Sequence, residues 1–183
     1  FSLDEKPYIT KVSDDIKKYG HNHLAIATSY NTLGSIYFLN KKHAKSEKSY
    51  RKALQIRLIK LGSWHALIAE SYNNIGRNYL AQGYYDKAIS SLTKSSAVWK
   101  RIGRTDHGRS ETYYLLGQSY EKLNNDTKAI AIYKLGIDTY SQRLCDRGPI
   151  HFLGKLKKLY LSRKLLTKAK YIQTRLDYIS NRV

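Results

Sequence analysis

The sequence predicts an all-α fold, a superhelix of stacked antiparallel helix pairs. Three observations carry that expectation. His23, His65 and His107 are spaced 42 apart, and Gly34, Gly76 and Gly117 follow at spacings of 42 and 41. Each glycine has a tyrosine four residues before it (Tyr30, Tyr72, Tyr113) and another three residues after it (Tyr37, Tyr79, Tyr120). Only Pro7 and Pro149 interrupt the 183 residues, which leaves room for long helices. A fixed period of this length marks a repeat architecture.

The elements follow from the register. Tyr30-Asn31-Thr32-Leu33-Gly34 returns as Tyr72-Asn73-Asn74-Ile75-Gly76 and again as Tyr113-Tyr114-Leu115-Leu116-Gly117. Large residues at i, i+3 and i+7 line one helix face, so each segment reads as a first helix, A. Nine residues past the second tyrosine comes a small residue (Ser46, Ala88, Ala129). Four further is a large one (Tyr50, Leu92, Tyr133), and three further again a small one (Ala53, Ser95, Gly136). This is a second helix, B, with small positions for close approach and large ones to fill the space beside them. Breaks fall between the helices at Asn40, at Gln82-Gly83 and at Asn124-Asn125, residue types suited to helix C-caps and turns. Such a pair cannot bury its apolar faces alone and must stack on its neighbours.

Both ends depart from the pattern. Leu156, Tyr160, Ala169 and Leu176 keep the offsets of a fourth copy, with Lys157 in place of glycine and Gln173 in place of the large residue; Pro149 suits the first turn of its helix A. At the start, Glu5-Lys6-Pro7-Tyr8 aligns with Glu47-Lys48-Ser49-Tyr50, and Gly20 with Gly62. The expected organisation is one domain. It comprises a helix B of a truncated repeat (1–20), repeats at 21–62, 63–104 and 105–145, and a fourth repeat or cap at 146–183. The first residue is Phe1 and the chain has no Met, so further repeats or another domain are expected upstream.

These residues resemble the tetratricopeptide repeat family: large residue, Leu-Gly, Tyr, small, aromatic, small, over roughly residues 4–180. The resemblance implies a right-handed α-solenoid that binds proteins or peptides and is not an enzyme. The usual repeat is about 34 residues, so a 42-residue period implies helices longer by about one turn each. That longer form is similar to the repeats of kinesin light chains: Ala53-Leu54-Gln55-Ile56-Arg57, then Leu61-Gly62 and His65, looks like their helix B end and linker. The proline that follows this histidine there is replaced by Leu24, Ala66 and Gly108. A second resemblance is to pheromone-peptide receptors of Gram-positive bacteria.

In this family the stacked helix A faces form the groove, which by alignment holds Asn31, Ser35, Asn73, Asn74, Arg77, Tyr114, Gln118, Lys155 and Lys158. Asparagine both donates and accepts, so it can bond an extended backbone whatever the peptide's sequence. Arg77, one turn from Asn73 and Asn74, would add a fork for a carboxylate. The competing reading is a solvated polar face. Thirty-three Lys and Arg against 14 Asp and Glu give a net charge of +19, a field that attracts acidic partners. Residues 143 to 183 hold eleven of the cations and only Asp146 and Asp177; the same block would also serve as a solvated end cap.

Other chemistry finds little support. His21, His23 and His65 suggest a metal, but the repetition of His23, His65 and His107 before each helix A assigns them to linkers and caps, and no cysteine or carboxylate cluster completes a site. No cofactor is expected. Cys145 is alone, so no internal disulfide forms, which fits a reducing, cytoplasmic setting. There is no phosphate-binding glycine loop and no paired carboxylates, and no apolar run reaches the ~20 residues of a membrane span. The 17 tyrosines beside so many lysines suggest nucleic-acid stacking, yet most fill packing positions; Tyr84, Tyr85, Tyr114 and Tyr140 are scattered. The leading expectation is therefore a protein- or peptide-binding scaffold for an acidic segment. The alternatives are a peptide-sensing regulatory domain of a larger signalling protein, and nucleic-acid binding through the basic surface. Homo-oligomerisation through the truncated end is a further expectation.

Overall fold

The computed structural model describes residues 2–103, 107–139 and 149–180, and within them nine α-helices and no strand. Cys145 and Tyr140 lie outside the described residues, as does the His107 side chain. Two compact units result, Phe1–Gly103 and Arg104–Val183.

The first unit holds α1 (Lys6–Tyr19), α2 (Leu24–Leu39), α3 (His43–Leu61), α4 (Ala66–Ala81) and α5 (Tyr85–Ile102). The second holds α6 (His107–Lys122), α7 (Asp126–Asp138), α8 (Ile150–Ser162) and α9 (Leu166–Ser180). Consecutive helices pack on one another within each unit. The pairs α2/α3, α4/α5, α6/α7 and α8/α9 are the helix A and helix B of the four sequence copies; α1 is the lone helix B.

The signature residues make the A–B contact. Gly34 lies under the buried ring of Tyr50, where an added Cβ would sit 2.7 Å from two ring carbons. Gly76 lies under Leu92, Gly117 under Tyr133, and Gly136 receives the Phe152 ring of the next helix. The small residues Ala53, Ala88, Ala129 and Ala169 are all buried, and Ser46 and Ser95 return their hydroxyls to the carbonyls of Gly34 and Ala69 at 2.9 and 2.8 Å. In the fourth copy the close approach is gone, and in its place Lys157 donates to Gln173 across the pair. The two residues that break the pattern are therefore each other's partners.

Each A–B turn closes the same way. One residue takes a left-handed conformation: Lys41 (φ 58), Gly83 (φ 80), Asn124 (φ 55) or Lys164 (φ 57). The next backbone N–H then bonds the carbonyl of the second signature tyrosine: Lys42 to Tyr37 at 2.8 Å, Tyr84 to Tyr79 at 3.0 Å, Asn125 to Tyr120 at 2.9 Å and Leu165 to Tyr160 at 2.8 Å. This is a C-cap that satisfies a carbonyl the helix end would leave orphaned. At the other end, His23 and His65 cap α2 and α4, each ring Nδ1 accepting the N–H two residues on at 3.2 Å. Pro149 stands one residue before α8, at its N-cap.

The first unit's core includes Ile26, Ala27, Ala53 and Ile56, with Val12, Leu33 and Tyr37 beside α1 and Ile68, Ile75, Leu92 and Trp99 from α4 and α5. The second is centred on Tyr113, Tyr133, Phe152, Leu156 and Tyr160. Between helix B and the next helix A the joints carry a polar pair. Ser29 bonds the Asp15 carboxylate between α1 and α2. One repeat on, Arg57 donates to Ser71 Oγ at 2.7 Å and to the Leu67 carbonyl at 3.0 Å between α3 and α4.

Candidate functional site: the helix A faces

In the first unit the predicted groove residues come from α2 and α4. Asn74 Nδ2 donates to Asn31 Oδ1 at 3.0 Å, and Arg77 Nη2 donates to Asn74 Oδ1 at 2.9 Å. The Arg77 guanidinium carbon lies 5.3 Å from the Phe38 ring centroid, so an aromatic face on α2 supports it. These contacts join the two helix A faces through side chains and hold Arg77 in place. Asn73 precedes Asn74, with Arg77 one turn further on. It is 3% exposed, and its Oδ1 has no hydrogen-bond partner among the described residues. A buried acceptor left so costs about 1–3 kcal/mol and calls for an explanation. Ser35 faces inward: its hydroxyl contacts Tyr50 Oη at 3.1 Å and the Asn31 carbonyl at 3.2 Å.

In the second unit Tyr114 packs edge-on against His151 and Phe152, centroids 5.1 and 5.7 Å apart. Gln118 is half-buried one turn along α6. Lys155 donates to Glu121 Oε2 at 2.8 Å, and Tyr133 Oη donates to the same oxygen at 2.8 Å. Burial pushes the Tyr133 phenol far above its ordinary value, and the Glu121 hydrogen bond adds to the effect, so it stays a donor. Lys155 is thus already paired, which reduces the attraction for an outside anion expected of it. Lys158 is exposed.

The structure brings Asn31, Asn74 and Arg77 into one network, leaves Asn73 beside it with spare acceptor capacity, and turns Ser35 into a packing partner. Sequence reasoning missed a further network in the first unit. Glu47 accepts from Tyr79 Oη at 2.5 Å and from Arg51 Nε at 2.7 Å. Burial opposes ionisation of Glu47 and is outweighed by these two donors, so its carboxyl lies below the ordinary value. The spacing of Glu47 and Arg51 at i, i+4 was the available signal. No group of three or more metal-binding side chains gathers among the described residues, and no helix among them is long and apolar enough to cross a membrane.

This arrangement defines a class: a helical repeat scaffold whose helix A faces are joined by polar side-chain networks. Two family models match, both described as tetratricopeptide repeat, one over residues 27–58 and one over 67–142, together more than half of the chain. The chain belongs to the tetratricopeptide repeat family, whose scaffold is typical of protein-interaction adaptors. Its fold is similar to that of the putative kinesin light chain TPR-like repeats of Podosopora anserina, at 17% identity over 96% of this chain and 84% of that one, TM-score 0.80. It is also similar to the apo form of RapI, at 14% identity over 98% and 71%, TM-score 0.72. A third likeness is to MamA, at 17% identity over 100% and 98%, TM-score 0.70. No curated protein matches in sequence.

Proposed function

We propose that the chain is a protein- or peptide-binding scaffold whose helix A faces hold an extended, acidic segment of a partner. The observation that carries this reading is the preorganised Asn31–Asn74–Arg77 network, which joins the α2 and α4 faces and holds the half-buried Arg77 guanidinium in place. An extended peptide can approach the half-buried residues of this network, its carboxylates meeting Arg77 and its backbone N–H and C=O groups meeting the Asn31 carboxamide. The preference for acidic segments is supported by the +19 charge and by exposed Lys158. Groups already fixed by neighbours lose little freedom on binding, which favours affinity.

Affinity capture with the wild-type chain and with an Asn73→Ala/Arg77→Ala variant tests this. Partners retained by the wild type should be lost by the variant while its circular dichroism melt stays cooperative. Identical partner sets from the two proteins would overturn the groove assignment.

A further inference from the structure

On the helix B side each unit has a cleft between consecutive B helices, floored by the A helix between them. In the first unit α3 and α5 flank α4 around a space of about 370 Å³. In the second α7 and α9 flank α8 around about 410 Å³. The repeat register maps one cleft onto the other. Arg51 corresponds to Lys134, Lys87 to Lys168 and Lys94 to Arg175, while the floor residues Ile75 and Tyr79 correspond to Leu156 and Tyr160. Three cations therefore recur at the same three places.

Two differences set the second cleft apart. In the first, Arg51 donates to Glu47 at 2.7 Å and to Tyr79 Oη at 2.8 Å, so part of its charge is met. In the second, Lys134, Lys168 and Arg175 have no carboxylate partner among the described residues, and Lys168 lies 6.0 Å from the Tyr160 ring centroid. The acid in its lining is Asp138, on the α7 rim. The second difference is in the wall: Ser90 and Ser91 of the first cleft are Tyr171 and Ile172 in the second. Tyr171 stands at the mouth, 64% exposed. An apolar floor under unmet cations fits a ligand that is apolar at one point and anionic around it. The volume suits one or two large side chains, within the range of about 300–1,000 Å³ for pockets that enclose ligands.

We propose that the α7–α9 cleft docks an acidic peptide segment. One large apolar side chain lies on Tyr171 and Ile137, above the buried Leu156 and Ile172, and flanking Asp or Glu carboxylates meet Lys134, Lys168 and Arg175. This site is separate from the helix A faces and does not depend on their assignment. A phosphodiester chain would use the cations but has no use for the aliphatic floor, which is why the peptide is the better fit.

The test uses the full chain and fluorescence anisotropy. The probes are a fluorescein-labelled Asp/Glu-rich peptide with a single central Phe, its twin with Ser at that place, and a single-stranded oligonucleotide of equal charge. The Phe peptide should bind more tightly than the Ser twin and the oligonucleotide. Lys134→Glu/Arg175→Glu should weaken it by about tenfold or more, Tyr171→Ser should erase the preference for Phe, and the preference for Phe over Ser should persist in Asn73→Ala/Arg77→Ala protein even if that variant loses acidic-peptide binding at the helix A faces. Circular dichroism melts confirm that each variant folds. The proposal fails if the two peptides bind alike, if the oligonucleotide binds more tightly, or if folded Lys134→Glu/Arg175→Glu protein keeps wild-type affinity.

Discussion

Replacing one glycine by alanine should have opposite effects at two places in the second unit. At Gly117 an added Cβ would come within 2.6 Å of Tyr133 Cδ1 and 2.7 Å of Cζ, inside any tolerable carbon–carbon contact. The ring has little room to yield. Tyr133 is fully buried, its hydroxyl is held by Glu121 at 2.8 Å, and Phe152 packs 6.0 Å away. Overpacking of this kind costs about 1–3 kcal/mol, while alanine in a helix interior gains back up to about 1 kcal/mol over glycine. The net expectation for Gly117→Ala is a loss of about 1–2 kcal/mol. At Gly154, on the exposed face of α8, nothing lies within 4 Å of the added Cβ. There the propensity gain stands alone, and Gly154→Ala should stabilise by about 0.5–1 kcal/mol. At roughly 2–4 °C per kcal/mol for a chain of this size, the melting temperatures should move by about 3–6 °C down and about 2 °C up. Circular dichroism melts and urea unfolding of the two variants read this directly. A Gly117→Ala protein that melts at or above wild type would refute the argument that the signature glycine is there for close approach.

Two further outcomes follow from the joints and the carboxylates. Arg57 is a buried cation whose side chain is 4% exposed, whereas Glu70, 3.5 Å away, is 53% exposed. Arg57→Ala should cost about 2–3 kcal/mol in urea unfolding through lost packing and the loss of its bonds to Ser71 and to the Leu67 carbonyl; Glu70→Ala should cost under about 1 kcal/mol, and equal costs would contradict the geometry. In acid, three carboxyls lie below their ordinary values: Glu5 through hydrogen bonds from Lys42 and Asn40, Asp15 through that from Ser29, and Glu47 through Tyr79 and Arg51 against burial. A folded-state value below the unfolded one gives stability that is fully present above the unfolded value and is lost as pH falls through the folded one. Melting temperature should therefore be flat from neutral pH to about 5 and fall below about 4. Glu47→Gln should melt lower at neutral pH and show a shallower acid slope, and an unchanged slope would remove Glu47 from the account.

The fold was legible because it rests on shape complementarity repeated at a fixed interval. Gly34 with Tyr50 and Gly76 with Leu92 are volume pairs, and volume is written in residue identity. The turns were legible at Asn40, Gln82-Gly83 and Asn124-Asn125, but the left-handed lysines at 41 and 164 were not, since nothing in a lysine announces a positive φ. The candidate groove was half legible. The register puts Asn31 and Asn73 at the same repeat position, yet Asn31 accepts from Asn74 while Asn73 is sealed with its oxygen unmet. Register assigns a face and leaves hydrogen-bond pairing undecided, because pairing depends on the neighbouring repeat. The same limit applies to Lys155, whose partner Glu121 lies one repeat back, and to Asn78, which reaches back to His43 at 2.9 Å and 3.0 Å. The helix B cleft was missed because its cations fall on three helices and align only once two repeats are superposed.

The two joints of the first unit put a carboxylate, Asp15, and a guanidinium, Arg57, at the same repeat position, each against a serine, Ser29 or Ser71. The serine hydroxyl donates in one joint and accepts in the other. It is a neutral coupling that tolerates either sign, while the residue beside it changes with the charge: Glu70 lies 3.5 Å from Arg57, where Thr28 stands at the equivalent place in the preceding repeat. A repeat array with such couplings can drift in electrical character, toward +19 or away from it, while its mechanical geometry stays fixed. Inheritance of the scaffold and inheritance of its surface field are then separable.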